Sequence, residues 1–393
     1  MISKTKATAP YNLFILVFYV AEAIFLPYVV MYLTENGVST TQASIAYSGM
    51  TIGAIVGGLA LGYCADKTRR PRATLTGTVL LSAGLILLLR LGRGFALSAV
   101  LLFLFGFFEQ PAVDLFDNLI VQNVPDWEKA FSIIHCFGNL GYIIGLLVAG
   151  RLLSAYGYSR VFLLASVMLV VSGIACRGMG SARMTPGEKH KVPLKELFRN
   201  RMSLAIYFVS FLWGVIETGA LAFAAKYYTD LGYTAAYAAG MISIAVAGQT
   251  LSYIWLYRKP GAVSQSTLCF GGFALLAVRI LSMALVGSLP QPALVVMAFL
   301  GGACTPLINL ALVQMVSENF PVEISNSAQT FKTIAYRGLG GSLGSFLFGV
   351  CYGLIDSRAL MLLGAGVSLA MGLIALGAIR LAGRLDRKTE KGR

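Results

Sequence analysis

Charge is what this chain has least of. Lys, Arg, Asp and Glu together make up 12% of 393 residues, about half the 25% or so of a soluble domain. With 57% hydrophobic residues, a soluble fold would have too little polar surface to show to water, so the expected solvent is a bilayer. Histidine is nearly absent: two residues exclude a multi-histidine metal centre. The six cysteines, at 64, 136, 176, 269, 304 and 351, form no CxxC pair and lie mostly in apolar runs. They read as packing residues, with neither a disulfide framework nor a zinc site. Neither HExxH nor GxxxxGK[ST] occurs, which removes the zincin and P-loop classes. No enzyme activity, catalytic residue, metal or cofactor is expected.

The sequence does hold apolar runs, and their number sets the architecture. Stretches of about the 20 residues that a bilayer crossing needs fall at 10–33, 42–63, 73–89, 95–121, 131–153, 161–176, 204–228, 235–257, 264–286, 293–316, 325–354 and 359–381. The first is far longer than a signal-peptide core and is expected to stay in the mature protein. The fold class is therefore an all-α membrane protein with twelve transmembrane helices in two six-helix bundles. The boundaries expected are 1–180 for the first bundle, 181–201 for a polar central loop, 202–382 for the second bundle and 383–393 for a basic tail. Glycines 53, 57, 58 and 62 mark one face of span 2 for close helix contact.

The net charge of +14 could suggest nucleic acid, but the cations are placed otherwise. Of 31 Lys and Arg residues, 22 fall on the alternate connections that include both termini and only 5 on the opposite set. That bias puts both termini in the cytoplasm of a multi-pass inner-membrane protein, and no nucleic-acid partner is expected.

Ionisable groups inside such spans cost roughly 2.5–3.5 kcal/mol each on insertion, so they are functional candidates by default. Span 4 carries Glu109, Asp114 and Asp117, and span 5 carries His135, Asn139 and Tyr142. Asp114 and Asp117, three apart, share a helix face, while Glu109 points about 140° away. Glu22 on span 1 and Glu217 on span 7 hold corresponding places in the two halves, and either could carry a proton or pair. Glu217 is expected to pair with Arg337. Lys332 and Arg337, five apart, are expected on different faces of span 11. The glycine patterns Gly138-x-x-Gly141 with Gly145 in span 5, and Gly341-x-x-Gly344 in span 11, echo each other between the halves, as an internal repeat would.

Twelve spans in two halves, a basic central loop, and Gly62-x-x-x-Asp66-Lys67 followed by Arg70 and Arg72 resemble the major facilitator superfamily. The resemblance implies a gating role for Gly62, Asp66, Lys67 and Arg70. Gln110-Pro-Ala-Val-Asp114, followed by His135-x-x-Gly138-Asn139-x-x-Tyr142, looks like helices 4 and 5 of the lactose permease-like branch, which includes sugar, nucleoside and phenylpropionate permeases. That similarity implies a solute site from Asp114, His135, Asn139, Tyr142, Gln249 and Arg337. The chain departs from lactose permease in span 10, where residues 298–304 hold no charged group, and at Gln249, which stands for a helix-8 glutamate. Lactose itself and its proton relay are thus not expected, and Glu22, Asp114 and Glu217 become the candidates for proton coupling. The function implied is secondary active transport of a small polar solute (a sugar, nucleoside or aromatic acid) by a monomer, through alternating access and coupled to protons. A drug exporter or lysolipid flippase of the same fold is the alternative.

Overall fold

In lipid, a backbone has no water to bond to, so a spanning segment must satisfy its own N–H and C=O groups, as a helix does. The computed structural model follows that rule. It describes residues 2–68, 70–91, 94–124, 127–180, 197–198, 200–258, 263–320 and 322–391, which are almost entirely helical and include no strand. The central loop from 181 to 196 and the side chain of Asp66 lie outside the described residues.

The first half comprises α1 (Ile2–Phe25), a 3-10 turn (Leu26–Tyr28), α2 (Val29–Glu35), α3 (Thr40–Thr68), α4 (Pro71–Leu91), α5 (Phe95–Asn123) and α6 (Trp127–Ala175). The second comprises α7 (Arg201–Ala222), α8 (Ala224–Asp230), α9 (Ala235–Arg258), α10 (Gln265–Ala284), α11 (Gln291–Gly301), α12 (Cys304–Asn319), α13 (Val322–Thr333), a π segment (Ile334–Gly340), α14 (Gly341–Leu354) and α15 (Ser357–Lys391). Among the described residues, ten helices are long and apolar enough to cross a bilayer. One of them, Ile133–Gly178, has 46 residues, about 70 Å of helix and over twice the apolar thickness. It is broken at Gly157, whose φ of 71° and ψ of 168° are non-helical, so it holds spans 5 and 6. The α13–π–α14 run covers span 11. All twelve expected segments are helical.

Four spans are interrupted: span 1 at the 3-10 turn containing Pro27, span 7 at Phe223, span 10 at Gly302–Ala303, and span 11 at the π segment. Irregular backbone at membrane depth persists only where protein or a cavity satisfies it, and π segments cluster at functional positions. These breaks point to where the chemistry should be sought.

The chain divides into two compact units, Met1–Gly187 with Ala222–Ser243, and Glu188–Leu221 with Ile244–Arg393. The segment 222–243 thus groups with the first unit, where the sequence boundary at 202 would have kept it in the second. Small residues account for it: a Cβ on Gly150 would lie 2.6 Å from Ala239 Cβ and 2.9 Å from the Ala235 carbonyl oxygen. Within the first unit α1 packs along α6, α3 along α5, and α4 against both α5 and α6. Phe14 stacks on Phe116 at 4.7 Å, and Phe25 meets Phe105 and Phe162, each at 4.8 Å between ring centroids. In the second unit α10 is central, packed against α11, α12 and α15.

The glycine echo read from the sequence is an echo of crossings. A Cβ at Gly141 would sit 2.2 Å from the Leu16 carbonyl oxygen, and at Gly145 2.5 Å from that of Val20, so span 5 lies directly on α1. A Cβ at Gly344 would sit 2.1 Å from the Val215 carbonyl oxygen, and one at Gly214 2.0 Å from that of Tyr336, so span 11 lies directly on α7. Backbones approach this closely only where side chains are missing.

Candidate functional site

The close crossing of α1 and α6 sets the polar face of the first unit. His135 Nε2 lies 3.0 Å from Asp117 Oδ1, with both side chains a little under one-third exposed, and the Phe131 ring lies 4.3 Å from the imidazole. His135 and Asp114 are expected in one solute site; the carboxylate that His135 meets is Asp117, one helical turn nearer the 4–5 connection. Asp114 is exposed on α5 and makes contacts of its own. Asn139 and Tyr142 are half-buried, and the Tyr142 ring stands edge-on to Tyr19 at 6.3 Å. Glu22 is half-buried and engaged. Glu109 is buried and accepts a hydrogen bond from Gln110 Nε2 at 2.6 Å. In the turn motif, Lys67 lies over the Tyr63 ring at 5.8 Å, Arg70 is exposed, and Arg72 donates to the Met179 carbonyl at 2.9 Å. Gly62 lies within α3 with open space where a side chain would be. A cavity of about 240 Å³ sits at the ends of α2 and α8, lined by Met31, Thr34, Glu35, Lys226, Thr229 and Asp230. Its Lys226–Asp230 ion pair of 2.9 Å and lack of an aromatic wall make it a poor host for a ring-bearing solute.

The second unit holds the denser cluster. The Gly214 and Gly344 crossings bring α7 against the π segment. Glu217, 4% exposed, accepts a hydrogen bond from Thr305 Oγ1 at 2.6 Å and another from the Tyr336 hydroxyl. The Cys304 thiol lies 4.0 Å from Glu217 Oε1, and Arg279 reaches the same thiol. The Tyr336 ring stacks flat on Trp213, centroids 3.7 Å apart with 8° between planes. Glu217 thus accepts from neutral hydroxyls, and Arg337, its expected partner, is exposed in the π segment next to Tyr336, with contacts of its own. A second polar chain runs from Lys332 Nζ to Asn309 Oδ1 at 3.0 Å, and from Asn309 Nδ2 to the Tyr253 hydroxyl at 3.5 Å. Gln249, half-buried on α9, lies where the turn after α11 comes close, since a Cβ on Gly302 would sit 3.0 Å from its backbone nitrogen.

Lys332, near the end of α13, is buried, whereas Arg337, in the π segment, is exposed, in keeping with the different faces expected of them; Arg337 is nonetheless close enough for its charge to act on Lys332. The sequence reading missed Tyr336, Thr305 and Asn309. Aromatic and hydroxyl side chains are common in membrane helices, and only the two glycine crossings could have placed Tyr336 beside Glu217. One stretch, Gly340-Gly341-Ser342-Leu343-Gly344, has the letters of a hydrolase elbow, GxSxG. It runs through helix rather than a strand-to-helix turn, so the context that motif requires is missing.

Chemically, the second unit offers a carboxylate, amides, hydroxyls, a flat aromatic pair and cations on interrupted helices, with no group of three or more metal-ligating side chains among the described residues. Such a set can hydrogen-bond and stack against a polar solute. Together with twelve apolar helical segments, it defines a multi-pass membrane transporter.

The chain matches the sequence model described as "MFS_1 like family" over residues 9–363, and it belongs to that family. It is a secondary active transporter of a small-molecule solute, not an enzyme. It is similar to "Putative nucleoside transporter YegT" of Escherichia coli strain K12, 24% identical over 367 residues that cover 88% of this chain and 84% of that protein. Among solved structures it is similar to a point mutant of the nucleoside transporter NupG, with a TM-score of 0.83 at 15% identity, covering 95% of this chain and 99% of that one. It is also similar to a point mutant of the peptide transporter POT in complex with alafosfalin, with a TM-score of 0.75 at 15% identity and 96% of both chains covered.

Proposed function

We propose that this transporter moves a nucleoside-type solute, by alternating access and with proton coupling. The observation that carries the reading is the Glu217 cluster. A nucleoside presents sugar hydroxyls, which bond to carboxylates and amides, and a planar base, which stacks on aromatic rings. Glu217, Asn309 and Gln249 supply the first chemistry, and Tyr336, backed by the buried Trp213, supplies the second, all in one unit and all but Gln249 on interrupted spans. The curated relative and the NupG likeness support the same solute class. Asp114, His135, Asn139 and Tyr142 of the first unit, and Gln249 and Arg337 of the second, are assigned to solute binding. Glu22, Asp114 and Glu217 are assigned as proton-coupling candidates, because a carboxylate at membrane depth gains and loses a proton as its partners change. Gly62, Asp66, Lys67 and Arg70 form the gating turn. The protein acts as a monomer in the plasma membrane, with both termini cytoplasmic.

Ligand stabilisation of the purified protein tests the solute class. A ligand that binds the folded state raises the melting temperature by mass action, about 2.7 kcal/mol of stabilisation at a hundred times its Kd. Uridine and adenosine should stabilise the wild type, and the shift should shrink in Glu217→Gln. Stabilisation by disaccharides alone would contradict the reading.

A further inference from the structure

Lys332 is 6% exposed on α13. Its ammonium donates to one acceptor among the described residues, the neutral Asn309 Oδ1 at 3.0 Å, and the charge acting on it, Arg337, has the same sign. Buried charges are as a rule paired with an opposite charge or saturated with hydrogen bonds, because an isolated ion in a low-dielectric interior is costly. Glu217 does not serve as that partner. Its oxygens accept from Thr305 and Tyr336, with Arg279 at the Cys304 thiol beside it, while the Lys332 ammonium bonds Asn309 instead. Arg337 has further contacts, and the charge balance here does not depend on it. The surplus is the positive charge of Lys332. Its bond to Asn309 continues through Asn309 Nδ2 to the Tyr253 hydroxyl, and both of those residues are half-buried.

We propose that Lys332, with Asn309, forms a subsite for an anionic group, a carboxylate or a phosphate, carried by the solute. On the nucleoside reading, on which the choice of scaffold rests, the preferred solute is then a nucleoside bearing an acidic substituent rather than a neutral one. Binding brings the missing counter-charge to the ammonium, while the hydroxyls and ring still meet Glu217 and the Trp213–Tyr336 pair. The lysine keeps its neutral partner in the empty protein and exchanges solvation for a charge-assisted bond in the loaded one.

Competition in counterflow tests the subsite with full-length protein in liposomes loaded with uridine. Labelled uridine uptake is challenged with unlabelled uridine, uridine 5′-carboxylate and uridine 5′-monophosphate at equal concentrations. The wild type should prefer one of the anionic analogues about tenfold or more, as a charge-assisted hydrogen bond to a buried cation implies, and the analogue that wins identifies carboxylate or phosphate. Lys332→Gln should lose the preference, and Lys332→Arg should keep part of it. Uridine competing as well as both analogues in the wild type overturns the subsite, whether or not the variants fold. So does a preference that survives in a folded Lys332→Gln protein. If labelled uridine does not enter at all, the nucleoside reading fails by itself. The subsite is then decided by whether phenylpropionate or inorganic phosphate raises the melting temperature of the wild type and not of Lys332→Gln: such a shift upholds it, and none overturns it.

Discussion

At the scale of single residues, the candidate chemistry rests on how few hydrogen-bond donors hold Glu217. Thr305 and Tyr336 each give one, and a bond to a charged group is worth about 1.5–3 kcal/mol. Tyr336→Phe keeps the ring on Trp213 and removes only the donor. It should leave the protein folded while weakening solute binding about tenfold, the fold-change that corresponds to about 1.4 kcal/mol, measured by titrating ligand against melting temperature. Unchanged affinity in Tyr336→Phe alongside a collapse in Glu217→Gln would mean that the hydroxyl is structural packing alone. The sequence pointed to Glu217 because a carboxylate in an apolar span is conspicuous. It could not point to Thr305 or Tyr336, which meet Glu217 across 88 and 119 positions of chain. The same limit explains His135, whose residue type was legible but whose choice between Asp114 and Asp117 depended on where along the α5–α6 contact the ring falls.

Elements were far more legible than partners, since bilayer thickness dictates run length and all twelve runs are helical. Their interruptions were legible only in part. Pro27 marks the break in span 1, and Gly301-Gly302 with Pro306, which has no N–H to give the Gly302 carbonyl, marks the one in span 10, whereas Phe223 is no breaker at all. Close crossings, by contrast, were visible as glycine spacing. Gly141→Ala would press a methyl to 2.2 Å from the Leu16 carbonyl, and Gly344→Ala to 2.1 Å from that of Val215. Each should cost about 1–3 kcal/mol through overpacking and lower the melting temperature. Gly58→Ala, which meets nothing within 4 Å, should not. Equal effects at all three positions would show that these crossings are looser than the structure has them.

On the scale of the whole molecule, composition and the cation bias carried most of the reading. Low charge content excluded a soluble fold, and the family match over residues 9–363 agrees with the fold expected from spans and motifs. The sidedness proposed from the 22-to-5 distribution of Lys and Arg is testable with fusions: a reporter after Arg393 should be cytoplasmic, and one at Gly287–Gln291 should be on the opposite side. A C-terminal reporter on the outer face would overturn the orientation. Solute identity, unlike fold, depends on a handful of side chains and was open in the sequence among sugar, nucleoside and aromatic acid. The central claim, that this chain carries a nucleoside-type solute uphill without altering it, is tested most directly by uptake of labelled nucleosides, neutral and acidic, into proteoliposomes under an imposed pH gradient. The account predicts accumulation above the external concentration, abolished by a protonophore, with the label recovered chemically unchanged. Folded protein that takes up no nucleoside, or that only equilibrates it with no response to the gradient, would contradict it.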